Sequence, residues 1–517
     1  MRKVGIQVAI GCAVVAALGA GGLALMSSSD GDADPITVGT SEVVTGLDPA
    51  GVYDSGSWAL FSNLYQSLLT FTPSSLQPVP DAASDCKFEG DDLLVYVCEL
   101  RPDLHFSNGH PLTAEDVKFS FDRITAINDD QGPASLFSTL DKVRTDGEQK
   151  VIFQLRSPDA TFPYKIASGA GSIVDHQEYP AAKLRTDDEV VGSGPYVLNT
   201  YKAGERAVLK PNGKYQGAAK TGQPVTVRYF DSGDKLNEAW DARDIDVVAN
   251  GLPPKVLATL NTADPDIKVI KDASPSTRSL VLDIRPDSPM RHKAVRQAIA
   301  TVIDREALVR RVHERTVDPL YSLIPQGINA HKTPFYDSYP RPDTDRARKT
   351  LTDAGLKAPV AFTLGYPEGK VNGDEAKEIQ RQLEATGLFK VKMAQRDWDH
   401  FQKDFAGHKF DAFTVSWVAD FPDPDTFTTP LVGNKPVYHN GYQSKQVQQL
   451  ILRTQRQAKR SRTAADFRTI QQIVADDAPM IPLWQQQENL VSTKDISGTE
   501  YLSDGTGMWR LWRLNHL

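Results

Sequence analysis

Residues 415–427 read VSWVADFPDPDTF. Phe413, Val415 and Trp417 alternate with small or polar neighbours, the spacing of a β-strand. Pro422 and Pro424 then remove ladder donors, so the strand gives way to a loop. A tryptophan thus stands at a strand end, with Asp420, Asp423 and Asp425 on the adjoining loop. A polar loop carried on a rigid element is a common place for a binding site. The plain alternative is an acidic, proline-punctuated surface turn, and these residues alone do not choose between the two.

The surroundings narrow the choice. A chain of 517 residues exceeds one core, so two or three domains are expected. Apolar residues make up 40% and charged residues 24%, which places the bulk among globular proteins. The net charge of −8, with no long block of basic residues, argues against nucleic acid as a partner. Arg2 and Lys3 precede an uncharged run from Val4 to Met26, followed by a polar segment from Ser27 to Asp34. That order is an export signal, cleaved after small residues such as Gly22 and Ala24 or retained as a membrane anchor. Cys12 after Ile10-Gly11 resembles a lipoprotein box but stands too early, with most of the apolar run after it. Either way, everything beyond Asp30 is expected outside the cytoplasm. The remaining cysteines, Cys86 and Cys98, flank a hairpin turn at Gly90-Asp91-Asp92. An even pair in an exported protein predicts a disulfide stapling that hairpin, with two free thiols as the alternative.

Along the chain, strands and helices interleave, which predicts an α/β fold. Trp58 to Leu69 carries Leu60, Phe61, Leu64 and Leu68 at helical spacing. Thr113, with Asp116 three residues on, caps a helix whose inner face is Val117, Phe121 and Ile124. Ser288-Pro289 starts a helix through Val295, Ile299, Val302 and Val309, with Arg291, Arg296, Arg305 and Arg310 expected mostly outside. Ser279–Ile284 and residues 390–395 read as strands. Two helices are expected near residues 446–459 and 464–477, and a terminal strand is expected to hold Trp509 and Trp512. His105 and His110 flank a turn, but two histidines without a third ligand do not make a metal site, and none is expected.

Six segments, in order, resemble the family 5 extracellular solute-binding proteins, the oligopeptide/dipeptide-binding group that serves ABC importers. They are NLYQSLL (63–69), LRPDLHFSNGHPLTAEDVKFSFDR (100–123), GSGPYVL (192–198), VRQAIATVIDREALV (295–309), WVADFPDPDTF (417–427) and APMIPL (478–483). The resemblance implies a two-lobed clamshell with an inserted subdomain. Lobe I would comprise residues 36–52, 192–280 and 486–517, the insertion 53–191, and lobe II 281–485. It implies an interlobe cleft in which Asp420 holds a peptide α-amine, Trp398 and Trp417 line pockets, and the loop 47–53, with Val52 and Tyr53, presents backbone groups. It implies membrane permease subunits as partners, a monomer, and no cofactor. Asp423 and Asp425 are read as residues that structure the loop by capping amides. No residue is assigned to a ligand carboxylate, and Arg396 is near the site in sequence only.

Catalysis finds no support. There is no Gly-x-Ser-x-Gly, no His-Glu-x-x-His and no Ser-x-x-Lys with its partner motifs. The fold alone leaves the ligand open to a sugar, a metal chelate or a glycolipid, and the role open to a surface sensor.

Overall fold

Two long strands, Ile267–Leu282 and Met480–Thr493, set the architecture. They pair antiparallel along their lengths, but the register shifts between Ala273 and Thr277. One half of this ribbon therefore belongs to one lobe and the other half to the second. In this computed structural model the described residues are 34–517 apart from Ser74, Ala218, Lys220 and Thr221. The expected export segment and Cys12 lie outside them. Among the described residues no helix is long and apolar enough to cross a membrane.

The ribbon is the centre of an 11-stranded sheet. On one side it continues through Val247–Ala249, Ile36–Thr40, Val225–Tyr229, Arg206–Pro211 and Tyr196–Lys202. On the other it continues through Ala412–Val418, Val360–Pro367 and Phe389–Arg396. The short strand Val317–Pro319 adds to Met480–Thr493. Parallel pairing of Ile36–Thr40 with both neighbours, and of Val360–Pro367 with both of its own, reflects the helical crossovers between them. A separate four-stranded antiparallel sheet, residues 83–155, carries the helix Ala114–Ile127. Thr113 and Asp116 form the expected capping box there.

The molecule has two main apolar cores. The first draws on residues 36–249 and on the tail from Leu490 to Leu514. The second draws on residues 280–483. The lobe limits expected near 280 and 485 both fall inside the crossing strands. The chain thus passes between lobes as paired β-structure, not through open linkers. The Cys86–Cys98 disulfide is present and joins directly opposed residues of the hairpin strands Ala83–Glu89 and Val95–Leu100.

Three expectations need correction. The helix begun at Ser288 is three pieces: a 3₁₀ turn Pro289–Arg291, then Lys293–Val302, then Arg305–Arg311. Ile303 leaves helical geometry and Asp304 caps the third piece through the Ala307 N–H at 2.9 Å. That break turns Arg305 inward, where it is 1% exposed and lies over the rings of Tyr321 and Phe335. Arg296 is buried too, its Nε donating to the Asp477 carbonyl at 2.9 Å. The expected basic outer stripe therefore loses two of its four arginines. The first helix spans Ser55–Leu64: it starts three residues before Trp58 because Asp54 caps it, and it ends short of Leu68, with Leu69 in a short strand. Trp509 and Trp512 are not in a strand: Trp509 forms an isolated bridge with Ser503, and Trp512 sits in a 3₁₀ turn.

Candidate functional site

The segment after Ala412–Val418 lies where the two lobes meet, and pairing explains why. Trp417 lies opposite Thr277 and Val418 opposite Ser276, beside the register shift of the crossing strand. The chain then turns through residues 419–424 into the helix Asp425–Val432. Ala419 packs into the second core, while Phe421, 2% exposed, packs into the first, 5.9 Å from the ring of Tyr164. Asp420 is thereby held between the lobes.

Asp420 is 7% exposed. Its Oδ1 accepts from the Tyr53 hydroxyl at 2.8 Å, and its Oδ2 accepts from the Thr426 hydroxyl at 3.0 Å. Burial, reinforced by the nearby Asp425 carboxylate, pushes Asp420 up to about 6, against the pull of its two hydroxyl donors and of Lys165. A buried carboxylate with no salt-bridged cation of its own is costly, and it gains most from an ammonium group that enters the site.

Asp423 and Asp425 serve the loop. Asp423 makes a bidentate pair with the buried Arg460, at 2.8 and 2.7 Å, and its Oδ1 accepts the Asp425 N–H at 2.9 Å. Asp425 accepts from the Thr429 hydroxyl at 2.8 Å and is itself pushed up to about 6 by burial. Trp417 also steadies the turn, its indole Nε1 donating to the Thr426 carbonyl at 2.9 Å.

On the side of the first core, Tyr53 is aimed by the residues on either side of it. Asp48 is fixed by two hydrogen bonds from Arg123, at 2.6 and 2.5 Å. Asp54 caps the next helix through the Ser57 N–H at 2.7 Å. Between them, Tyr53 stacks on Trp58 at 5.3 Å and reaches Asp420. The side chain of Val52 points elsewhere: it is 4% exposed and part of the first core, so only its backbone remains to face a ligand.

Asp420 borders two cavities. One, of about 370 Å³, is lined by Tyr53 and Trp58 on the side of the first core and by Trp398, Trp417 and Tyr438 on the side of the second. The other, of about 110 Å³, lies between Trp58, Gly169 and Met508 and extends to Arg510. Trp398 and Ser416 also border a third space of about 400 Å³, where Arg278 and Asn372 lie. Tyr53, Asp420, Trp417 and Trp398 are thus brought together around one cavity. Trp58, Tyr438 and Thr426 were not singled out in the sequence. Trp58 reads there as one apolar residue of a helix, and nothing local marks it as facing the cleft.

The other candidates lie apart. Arg396 pairs with Asp404 at 2.7 Å on the exposed side. His105 Nδ1 contacts the Asp103 carbonyl, whereas His110 Nδ1 lies 2.8 Å from the buried Asp175. His110, Asp175 and Glu178, and likewise Asp116, Asp175 and His176, have suitable atoms close enough to share a cation. Asp116 and Asp175 already accept backbone N–H bonds, which accounts for their burial without one.

Residues 77–439 match the bacterial extracellular solute-binding proteins, family 5 (middle region). The probable D,D-dipeptide-binding periplasmic protein DdpA of Escherichia coli K12 is 26% identical, over 90% of this chain and 91% of that protein. The ABC transporter-associated periplasmic binding protein DppA from Helicobacter pylori, solved in complex with the peptide STSA, superposes with a TM-score of 0.79 at 21% identity, over 93% and 98%. The binding protein AgaA from A. tumefacien R10, solved with agropinic acid, also gives 0.79, at 19% identity, over 93% and 99%. With this two-lobed α/β fold and a match over most of its length, the chain belongs to the bacterial extracellular solute-binding proteins, family 5.

Proposed function

We propose that this protein is the extracytoplasmic binding component of an ABC importer for short peptides, with Asp420 as the anchor for the ligand α-amine. The observation that carries the reading is the carboxylate itself: Asp420 is buried between the lobes, holds only neutral hydrogen-bond donors among the described residues, and borders a cavity of about 370 Å³. A charge-assisted hydrogen bond from an ammonium group in such a site contributes roughly 1.5–3 kcal/mol. The peptide backbone is common to all such ligands and is served by strand ends and loop 47–53, including Val52 and Tyr53. Trp398 and Trp417 line the side-chain space. The relatives support the reading, since two of them are named for, or solved with, peptides.

The lobes we assign are residues 36–52, 192–280 and 486–517 for the first, with 53–191 inserted, and 281–485 for the second. The protein would bind as a monomer, without a cofactor and without catalysis, outside the cytoplasmic membrane. It would be tethered there by its N-terminal apolar segment or released after cleavage, and would deliver ligand to permease subunits. Calorimetry with mixed di- and tripeptides tests the amine anchor. Binding is expected to weaken about tenfold or more in Asp420→Ala and with N-acetylated peptides. Unchanged affinity in both would overturn the role of Asp420.

A second reading keeps the cleft and changes the ligand. The solved relative that holds agropinic acid favours it. Mass spectrometry of ligand co-purified with the native protein separates the two.

A further inference from the structure

Trp398 is an anomaly in a well-packed lobe. It is 52% exposed, yet its ring is held in place by stacking on Phe401 at 5.8 Å, and Phe401 is fully buried. An indole fixed by a core residue and left open on its other side is a preformed surface for another apolar group. It borders the cavity of about 370 Å³ together with Tyr53, Trp58 and Phe405.

Size and charge say what fits there. An apolar cavity of about 150 Å³ takes a benzene ring. The space of about 370 Å³ therefore holds a phenyl or indole group along with part of a backbone. The space of about 110 Å³ on the other side of Asp420 is too small for such a ring. Among the described residues lining the larger cavity there is no lysine, arginine or histidine, and the acidic ones are Asp54 and Asp420. An acidic side chain placed there would meet two carboxylates and no cation. A basic one would meet Asp54, whose charge is already stabilised as the N-cap of the helix Ser55–Leu64, accepting from the Ser57 N–H at 2.7 Å, the Ser57 hydroxyl at 2.9 Å and the Thr45 hydroxyl, so it gains less there than the α-amine gains at Asp420. Trp398, Phe405, Val415 and Val437 leave apolar contact as the main attraction.

We propose that the cleft selects ligands whose side chain next to the ammonium group is large and apolar, aromatic above all, and that Trp398 sets this preference. The inference rests on the amine reading of Asp420, because that contact fixes which side chain enters the larger cavity. Trp398 stacks on Phe401 of the second core, and Tyr53 and Trp58 pack in the first, so a ring between them bridges the two cores.

Calorimetry on the purified protein tests this with di- and tripeptides that differ only at the first residue: Phe, Ala, Lys or Asp. The Phe peptides are expected to bind about tenfold or more tighter than the Ala peptides, with the Asp peptides weakest. Trp398→Ala is expected to remove most of that difference, weakening the Phe peptides about tenfold or more and the Ala peptides much less. Because Trp398 is half exposed, the variant should keep the thermal midpoint of the parent, and Trp398→Phe should restore much of the preference. Equal affinity for Phe and Ala peptides overturns the inference and leaves the amine anchor standing. So does tightest binding of the Lys or Asp peptides, or an equal loss for Phe and Ala peptides in Trp398→Ala. N-acetylated peptides binding as tightly as free ones would instead overturn the amine anchor, and this inference with it.

Discussion

Three carboxylates within six residues end in three different states, and the difference lies in what surrounds each. Asp423 has Arg460, Asp425 starts its helix, and Asp420 has two hydroxyl donors and faces the cavities; among the described residues neither Asp420 nor Asp425 forms a salt bridge. Burial raises Asp420 to about 6 in the folded protein, against about 3.9 for an unfolded aspartate. A raised folded value means that stability from the protonated form is full below about pH 4 and lost as pH rises through about 6. Asp420→Asn removes that loss. In urea denaturation it is expected to be more stable than the parent at about pH 8, by at most about 3 kcal/mol, and equal to it near about pH 4. Ligand affinity should move the other way. An ammonium ligand needs the ionised carboxylate, so parent affinity is expected to fall by about tenfold per pH unit below about 6, and Asp420→Asn should flatten that profile.

The loop and helix that carry these residues form one element, and Arg460 is its clamp. Its guanidinium is 5% exposed and makes a bidentate pair with Asp423. Its Nη1 also donates to the Thr454 carbonyl at 2.7 Å. Removing one partner of a buried pair strands the other charge, at a cost of about 3–5 kcal/mol. Arg460→Met is expected to lose that much in chemical denaturation. Replacing both residues, as Asp423→Leu with Arg460→Met, should cost less than the single change, because no charge is left unpaired. Ligand affinity should fall in the single variant as well, since Asp420 is positioned by the same turn.

For the whole molecule, the question is what holds the lobes together around the cleft. The crossing strands hold them permanently. Further contacts close the front, among them Tyr53 to Asp420, the Ala160 N–H to the Gln455 carbonyl at 2.8 Å, and Phe421 packed in the opposite core. The last buries the most apolar surface. Replacing a buried Phe by Ala costs about 3–5 kcal/mol when the surroundings stay rigid. Here we expect the lobes to part instead, by bending at the register shift near Ser274–Ser276. Phe421→Ala is therefore expected to increase the radius of gyration of the free protein in small-angle scattering. Saturating ligand should restore the parent value, at an affinity lower by several-fold. An unchanged free radius would show that Phe421 does not hold the lobes.

What the sequence determined by itself is local. Alternation over residues 413–417 and two prolines made a strand and then a turn; Thr113 and Asp116 made a cap; Cys86 and Cys98, across a short hairpin, made a disulfide. These depend on sterics and hydrogen bonds between near neighbours, which periodicity and spacing record. The order of six motifs added the fold and the family. Only the tertiary structure decided which carboxylate pairs with a cation and which faces the cavities, because Asp423 finds Arg460 37 residues away and Asp420 finds Tyr53 367 residues away. It also decided that Arg296 and Arg305 turn inward, that Val52 is core, and that Phe421 belongs to the opposite lobe. Burial and desolvation sum over neighbours brought from across the chain, and no window of sequence contains that sum.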